Sequence, residues 1–205
     1  MGSRRSPALV LLMNLVLAVG ACGGVALPNA SRSVGPLDLD AIVIPPTSPP
    51  AGMKLSSDGH GRDALTRLPL FPDTAAALIA APGFVDGRYS DFAGSAEDFE
   101  ASRGFVLTWV AQYASPGDAT GAFAILRNEL ESDDHYGWGM GEDAGLGDAG
   151  TCLEGDNPRL GGLHETICVW RRGTLVMIVG GGSANETPIP AAAEAMDARA
   201  DAVLP

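Results

Sequence analysis

Residues Gly104 to Ala114 put apolar side chains on both sides of one extended run, and this restricts the fold more than any other feature. Phe105, Leu107, Trp109, Ala111 and Tyr113 share one face of such a strand, and Val106, Thr108, Val110 and Gln112 the other. A strand that is largely apolar on both faces must be covered on both, so it belongs in the middle of a sheet.

Ser115-Pro116-Gly117-Asp118 follows as a helix start. The Ser115 hydroxyl can cap a free amide, Pro116 suits the first helical position, and Asp118 can reach back. Ala119, Ala122, Phe123, Leu126 and Leu130 then repeat at helical spacing through Glu131. Pro72-Asp73 opens a shorter helix through Ala80, which Ala81-Pro82-Gly83 stops. A short strand is expected at Thr151 to Glu154, ending in a turn through Gly155-Asp156-Asn157-Pro158. Glu165–Arg171 and Thr174–Gly180 suggest a hairpin turning at Arg172-Gly173, with Trp170 opposite Leu175 and Cys168 opposite Met177. Pro188–Val203 closes the chain as a helix, with Ala192, Ala195, Met196, Arg199 and Val203 on one side. The fold class is therefore α+β, a sheet with helices packed against it, over residues 62–205.

The amino terminus carries a different signal. Arg4 and Arg5 precede a twelve-residue apolar run, Ala8–Val19, broken only by Asn14. Val19-Gly20-Ala21-Cys22 follows and resembles the lipobox of bacterial lipoproteins, where a branched apolar residue and two small residues precede a cysteine. The resemblance implies a signal peptide over 1–21, diacylglycerol on the Cys22 thiol, and cleavage just before Cys22. The apolar stretch Ala8–Leu27 is also long enough for an uncleaved anchor, but Asn14 and Gly20, Gly23 and Gly24 weaken that reading. Residues 22–61 follow as a disordered Pro-rich linker, with Pro28, Pro36, Pro45, Pro46, Pro49 and Pro50 and no helical or strand period. Leu37–Ile44 is its one apolar patch, able to dock on the domain, though a plain spacer is the favoured reading.

Cysteine count agrees with export. With Cys22 lipidated, Cys152 and Cys168 remain as an even pair on neighbouring strands, and a disulfide is expected between them. The net charge of -12 excludes a counterion-displacing nucleic-acid binder. Loss of residues 1–21 removes two arginines and no acid, and takes the chain to -14. Such a surface is repelled by anionic lipid, so the acyl chains must hold the protein on the membrane.

Catalytic chemistry finds no pattern. Glu131, Asp133, Asp134 and His135 lack the spacing of a calcium loop, and His60 and His164 complete no zinc triad. Ser183 lies in no Gly-x-Ser-x-Gly elbow. Gly180-Gly181-Gly182 precedes a helix but has no lysine nearby to hold phosphate, and a flexible connection is expected there. No cofactor or metal is assigned. Tyr136 and Trp138 lie in the acidic, glycine-rich stretch 132–150, where large aromatic side chains suggest contact with a partner.

Tyr113-Ala114-Ser115, Leu146-Gly147-Asp148 and Trp170-Arg171-Arg172-Gly173 resemble the strand, Gly-Asp loop and final hairpin of small exported bacterial domains, among them sensor-like and PsbP-like lipoprotein modules. That resemblance implies an antiparallel sheet and no activity. The expected function is a non-enzymatic binding or interaction module, anchored to the membrane through the lipid on Cys22 and contacting an envelope protein. Two alternatives are a carrier with an apolar ligand between sheet and helices, and a small hydrolase using Asp134 and Glu142.

Overall fold

A computed structural model of the chain describes residues 35–66, 72–94, 104–132, 142–157, 163–182 and 189–205. Seven strands form one antiparallel sheet: β1 (Met53–His60), β2 (Phe84–Gly94), β3 (Phe105–Tyr113), β4 (Glu142–Asp143), β5 (Ala149–Asn157), β6 (Leu163–Arg172) and β7 (Leu175–Gly182). Their order is β1-β2-β3-β7-β6-β5-β4, which puts β3 inside the sheet with both faces buried. Among the described residues four α-helices accompany the sheet: α1 (Arg62–Leu65), α2 (Pro72–Ala80), α3 (Pro116–Ser132) and α4 (Ile189–Val203). The α+β class and the antiparallel sheet are as the sequence indicates.

Each face of the sheet has its own core. Leu107, Trp109, Ala111 and Tyr113 of β3 pack with Leu78 and Ile79 of α2 and with Ala122, Phe123 and Leu126 of α3. Val106 and Val110, from the other face of β3, pack with Trp170, Met177 and Val179 and with Ala193, Met196 and Ala200 of α4. The α3 start has the expected cap: Ser115 Oγ accepts from Asp118 N at 3.1 Å and donates to the Asp118 carboxylate at 2.6 Å.

Residues 35–61 depart from the expected linker. From Gly35 onward they belong to the same compact unit as residues 62–205. A 3-10 turn at Leu39–Ala41 lays Leu39, Ile42 and Val43, all fully buried, onto the α4 side of the sheet. We call Gly35–Ile44 the strap. Three side chains hold its backbone, and a fourth, Arg88, holds the side chain of Asp40. The Gln112 amide donates to Gly35 O at 2.8 Å and accepts from Leu37 N at 3.0 Å. Thr108 Oγ1 accepts from Ile44 N at 3.3 Å, and Arg199 Nε donates to Ile42 O at 2.7 Å. Arg88, buried on β2, pairs with Asp40 of the strap and with Asp58 of β1 at 2.9 Å. Burial works against the Arg88 charge, but the two carboxylates outweigh it and raise its pKa. Met53–His60 then forms the edge strand β1. It is mostly exposed, which is why no apolar alternation marks it.

Smaller corrections follow from packing. The β6–β7 hairpin turns at Gly173-Thr174, Gly173 taking φ +56°, and Trp170 faces Met177 instead of Leu175. A slide of two residues keeps every side chain on its face, so the apolar pattern could not distinguish the two registers. β5 continues through Gly155 and Asp156, where a turn was expected. Gly180–Gly182 are strand residues, not a flexible connection. On α4 the buried residues are Ile189, Ala193, Met196, Asp197 and Ala200, and Ala195 is exposed. The charge of Asp197 on the inner face hid that stripe.

Cys152 of β5 and Cys168 of β6 lie directly opposite each other and form the expected disulfide, with Cα atoms 4.0 Å apart. Closing that loop stabilises the fold by about 3 kcal/mol on the chain-entropy view.

Candidate functional site

Two segments distant in sequence meet beside α3. The first is the turn from β4 to β5, Asp143 to Ala149, with Gly145 at φ +65° and Gly147 at φ +55°. Asp143 closes its start, the carboxylate accepting from Gly145 N at 3.0 Å. The second is the β6–β7 hairpin end. Asp148 N donates to Arg171 O at 2.7 Å, and the Asp148 carboxylate accepts from Arg171 Nη1 and from Gly173 N, each at 2.8 Å. A Cβ on Gly147 would lie 2.3 Å from Arg171 O, so the close seating of the turn requires glycine there. The Leu146-Gly147-Asp148 and Trp170-Arg171-Arg172-Gly173 motifs are thus one joint between turn and hairpin.

Asp197 of α4 locks that joint from the opposite face. Its carboxylate accepts from Trp170 Nε1 at 3.0 Å, from Arg172 Nε at 2.7 Å and from Gly147 N at 3.3 Å. Burial alone would raise its pKa, but the bonds from Arg172, Gly147 and Trp170 outweigh burial and hold the carboxyl below the ordinary carboxylate value. Arg172 also pairs with Asp201 at 2.8 Å.

The fixed turn forms one wall of a groove of about 310 Å³. Phe123 and Arg127, one helical turn apart on α3, form the opposite wall, and Ala149, Gly150 and Thr151 line it from β5. Phe123 is buried in the core, and Arg127 Nε donates to Glu131 at 2.6 Å on the exposed side of α3. The groove is therefore lined by Phe123 and Arg127 on the helix side and by the acidic residues Asp143 and Asp148 on the sheet side. Sequence reasoning placed Phe123 in the α3 stripe and Asp148 in a turn motif, and singled out neither as part of a site. The Gly145-Leu146-Gly147-Asp148 spacing, two glycines framing a leucine before an acid, was the available signal for a tight, fixed turn.

Several expected site residues lie outside the described residues: Cys22, Asp133, Asp134, His135, Tyr136, Trp138 and Ser183. Glu142 is described only as a residue of β4, opposite Cys152. His60 and His164 are far apart in the topology, on edge strand β1 and on β6, and pair with Asp86 and Asp156, each at 3.0 Å. Among the described residues no three His, Cys, Asp or Glu side chains converge closely enough to hold a metal ion, and no helix is long and apolar enough to cross a membrane.

No protein-family model matches the chain. No curated protein matches its sequence. Among solved structures, the extracellular domain of PknH from Mycobacterium tuberculosis is similar. Its TM-score is 0.54 at 10% identity, over 80% of this chain and 95% of that one. At that identity the likeness is one of fold.

Proposed function

We propose that this chain is a lipid-anchored extracytoplasmic protein whose α+β domain is a non-enzymatic binding module. The disulfide between Cys152 and Cys168 carries the reading of compartment, because such bonds persist where thiols are not kept reduced. The Val19-Gly20-Ala21-Cys22 run supports the anchor, and the fold is one found in an extracellular domain. The tether is short. Gly35, where the strap begins, lies thirteen residues beyond Cys22, and a fully extended chain of that length spans at most about 45 Å. Gln112 and Arg199 grip the strap where it meets the core. Tyr136 and Trp138 are retained as residues that contact a partner in the envelope.

The charged walls of the groove favour a polar ligand over the apolar cargo of a carrier. A hydrolase reading has no support beyond the presence of acids in the 132–150 stretch.

The test is mass spectrometry of the mature amino terminus together with cell fractionation. The reading requires a chain starting at Cys22 with a diacylglycerol thioether, found with membranes, and a Cys22→Ala variant released from them. An unmodified Cys22, or a variant retained as fully as the parent, overturns it.

A further inference from the structure

We infer that the groove between α3 and the β4–β5 turn is a binding site for a small zwitterion, a molecule with an ammonium and a carboxylate on a short apolar frame. The inference rests on the reading of the domain as a binding module and gives that module its ligand class.

The two walls bring opposite charges to the groove, and two of these charges already have an ion-pair partner, Arg127 in Glu131 and Asp148 in Arg171. Arg127 stands on the helix side, and its bond to Glu131 through Nε fixes where the guanidinium lies. A guanidinium held through Nε still presents its terminal nitrogens, the pair that grips a carboxylate. Asp143 and Asp148 stand on the sheet side. Each is held before any ligand arrives, Asp143 by Gly145 N and Asp148 by Arg171 and Gly173 N. A carboxylate fixed by one or two donors keeps further lone pairs for an ammonium. Phe123 on the helix wall and Ala149 on β5 supply the apolar lining, which suits a short aliphatic or aromatic side chain. A simple cation would meet Arg127 and a simple anion would meet two acids. A dipolar molecule answers both walls.

Size agrees. About 310 Å³ is at the small end of ligand sites, sufficient for a free amino acid or a dipeptide and small for a lipid or a cofactor. The walls are also rigid. The turn is fixed to the hairpin by Asp148 and to α4 by Asp197 and Gly147, so little ordering is left for binding to supply.

The experiment is calorimetric titration of the full exported chain, purified in detergent with its disulfide intact. The probes are leucine and phenylalanine, each beside its amide, which lacks the carboxylate, and its N-acetyl form, which lacks the ammonium. The free amino acids should bind saturably, and both blocked forms roughly tenfold or more weakly, since each loses a charge-assisted bond. Arg127→Gln should remove the difference between amino acid and amide. Asp143→Asn should remove most of the difference between amino acid and N-acetyl form. Unchanged thermal melting establishes that each variant is folded. No saturable binding of either amino acid, equal binding of all three forms, or discrimination unchanged in both variants overturns the assignment. Lipid labelling and fractionation are read independently, so failure of the groove leaves the anchor standing, and the reverse.

Discussion

Asp197 accepts the indole N–H of Trp170 at 3.0 Å, and this buried bond ties the carboxy-terminal helix to β6. The same carboxylate takes Arg172 and Gly147, so three residues from two separate stretches of chain depend on one acid of a third. Asp197→Ala leaves Trp170 Nε1 buried without an acceptor and Arg172 without its main partner. Urea unfolding should show a loss on the order of 3 kcal/mol. Asp197→Asn keeps one acceptor oxygen and should lose less, with Arg172→Lys, which cannot match the forked geometry, between the two.

The pH dependence follows from two acids, Asp197 buried and Asp91 half-buried, acting in opposite senses. The pKa of Asp197 is lowered in the folded protein. Its stabilisation is therefore complete above the unfolded value of 3.8 and is lost as pH falls through the lower folded value. Asp91 on β2 is raised by burial, which outweighs the hydroxyls of Ser56 and Ser57. Its contribution is present below 3.8 and is lost as pH rises through the higher folded value. Unfolding curves of Asp197→Asn should show a weaker loss of stability on acidification below pH 3.8 than the parent. Asp91→Asn should gain relative to the parent as pH rises above 3.8.

The strap makes a separate prediction. Compared with a chain starting at Gly35, one starting at Pro46 uncovers the sheet face that Leu39, Ile42 and Val43 bury. Each such side chain contributes about 1.5–3 kcal/mol when fully buried, so the shorter chain should lose several kcal/mol and bind a hydrophobic dye. Gln112→Leu removes both bonds to the strap while keeping an apolar side chain of similar size. A smaller loss, about 1–2 kcal/mol, is expected from it by the same unfolding assay.

How legible these features were depended on the range of the interactions that make them. The α3 cap is local, since Ser115 and Asp118 are three residues apart, and β3 announces itself by alternation; both stand where the sequence puts them. The disulfide was legible from count and strand adjacency. The strap was not. Its prolines resemble those of a linker, Leu39, Ile42 and Val43 have no period, and its polar partners Thr108 and Gln112 lie more than sixty residues away. The groove was hidden for a similar reason. Arg127 looks like an ordinary helix-surface charge and Asp148 like an ordinary turn residue until the sheet order sets β5 beside α3. The aromatic pair Tyr136 and Trp138 belongs to residues outside those described.

Two glycines give a paired test of the packing. Gly181 of β7 faces Ile189 at the start of α4, and a Cβ there would lie 2.4 Å from Ile189 Cδ1 and 2.6 Å from Phe105 O. Ile189 could rotate away, but the carbonyl belongs to the paired strand β3 and cannot move without breaking the ladder. Gly181→Ala should therefore destabilise by about 1–3 kcal/mol, the usual effect of overpacking. Gly121 of α3 is the opposite case, since a Cβ there meets nothing within 4 Å. Gly121→Ala should stabilise by about 0.5–1 kcal/mol, because alanine loses less backbone freedom on entering a helix. Thermal unfolding of the two variants should shift in opposite directions, and equal shifts would show that the β3–β7 contact is looser than its geometry indicates.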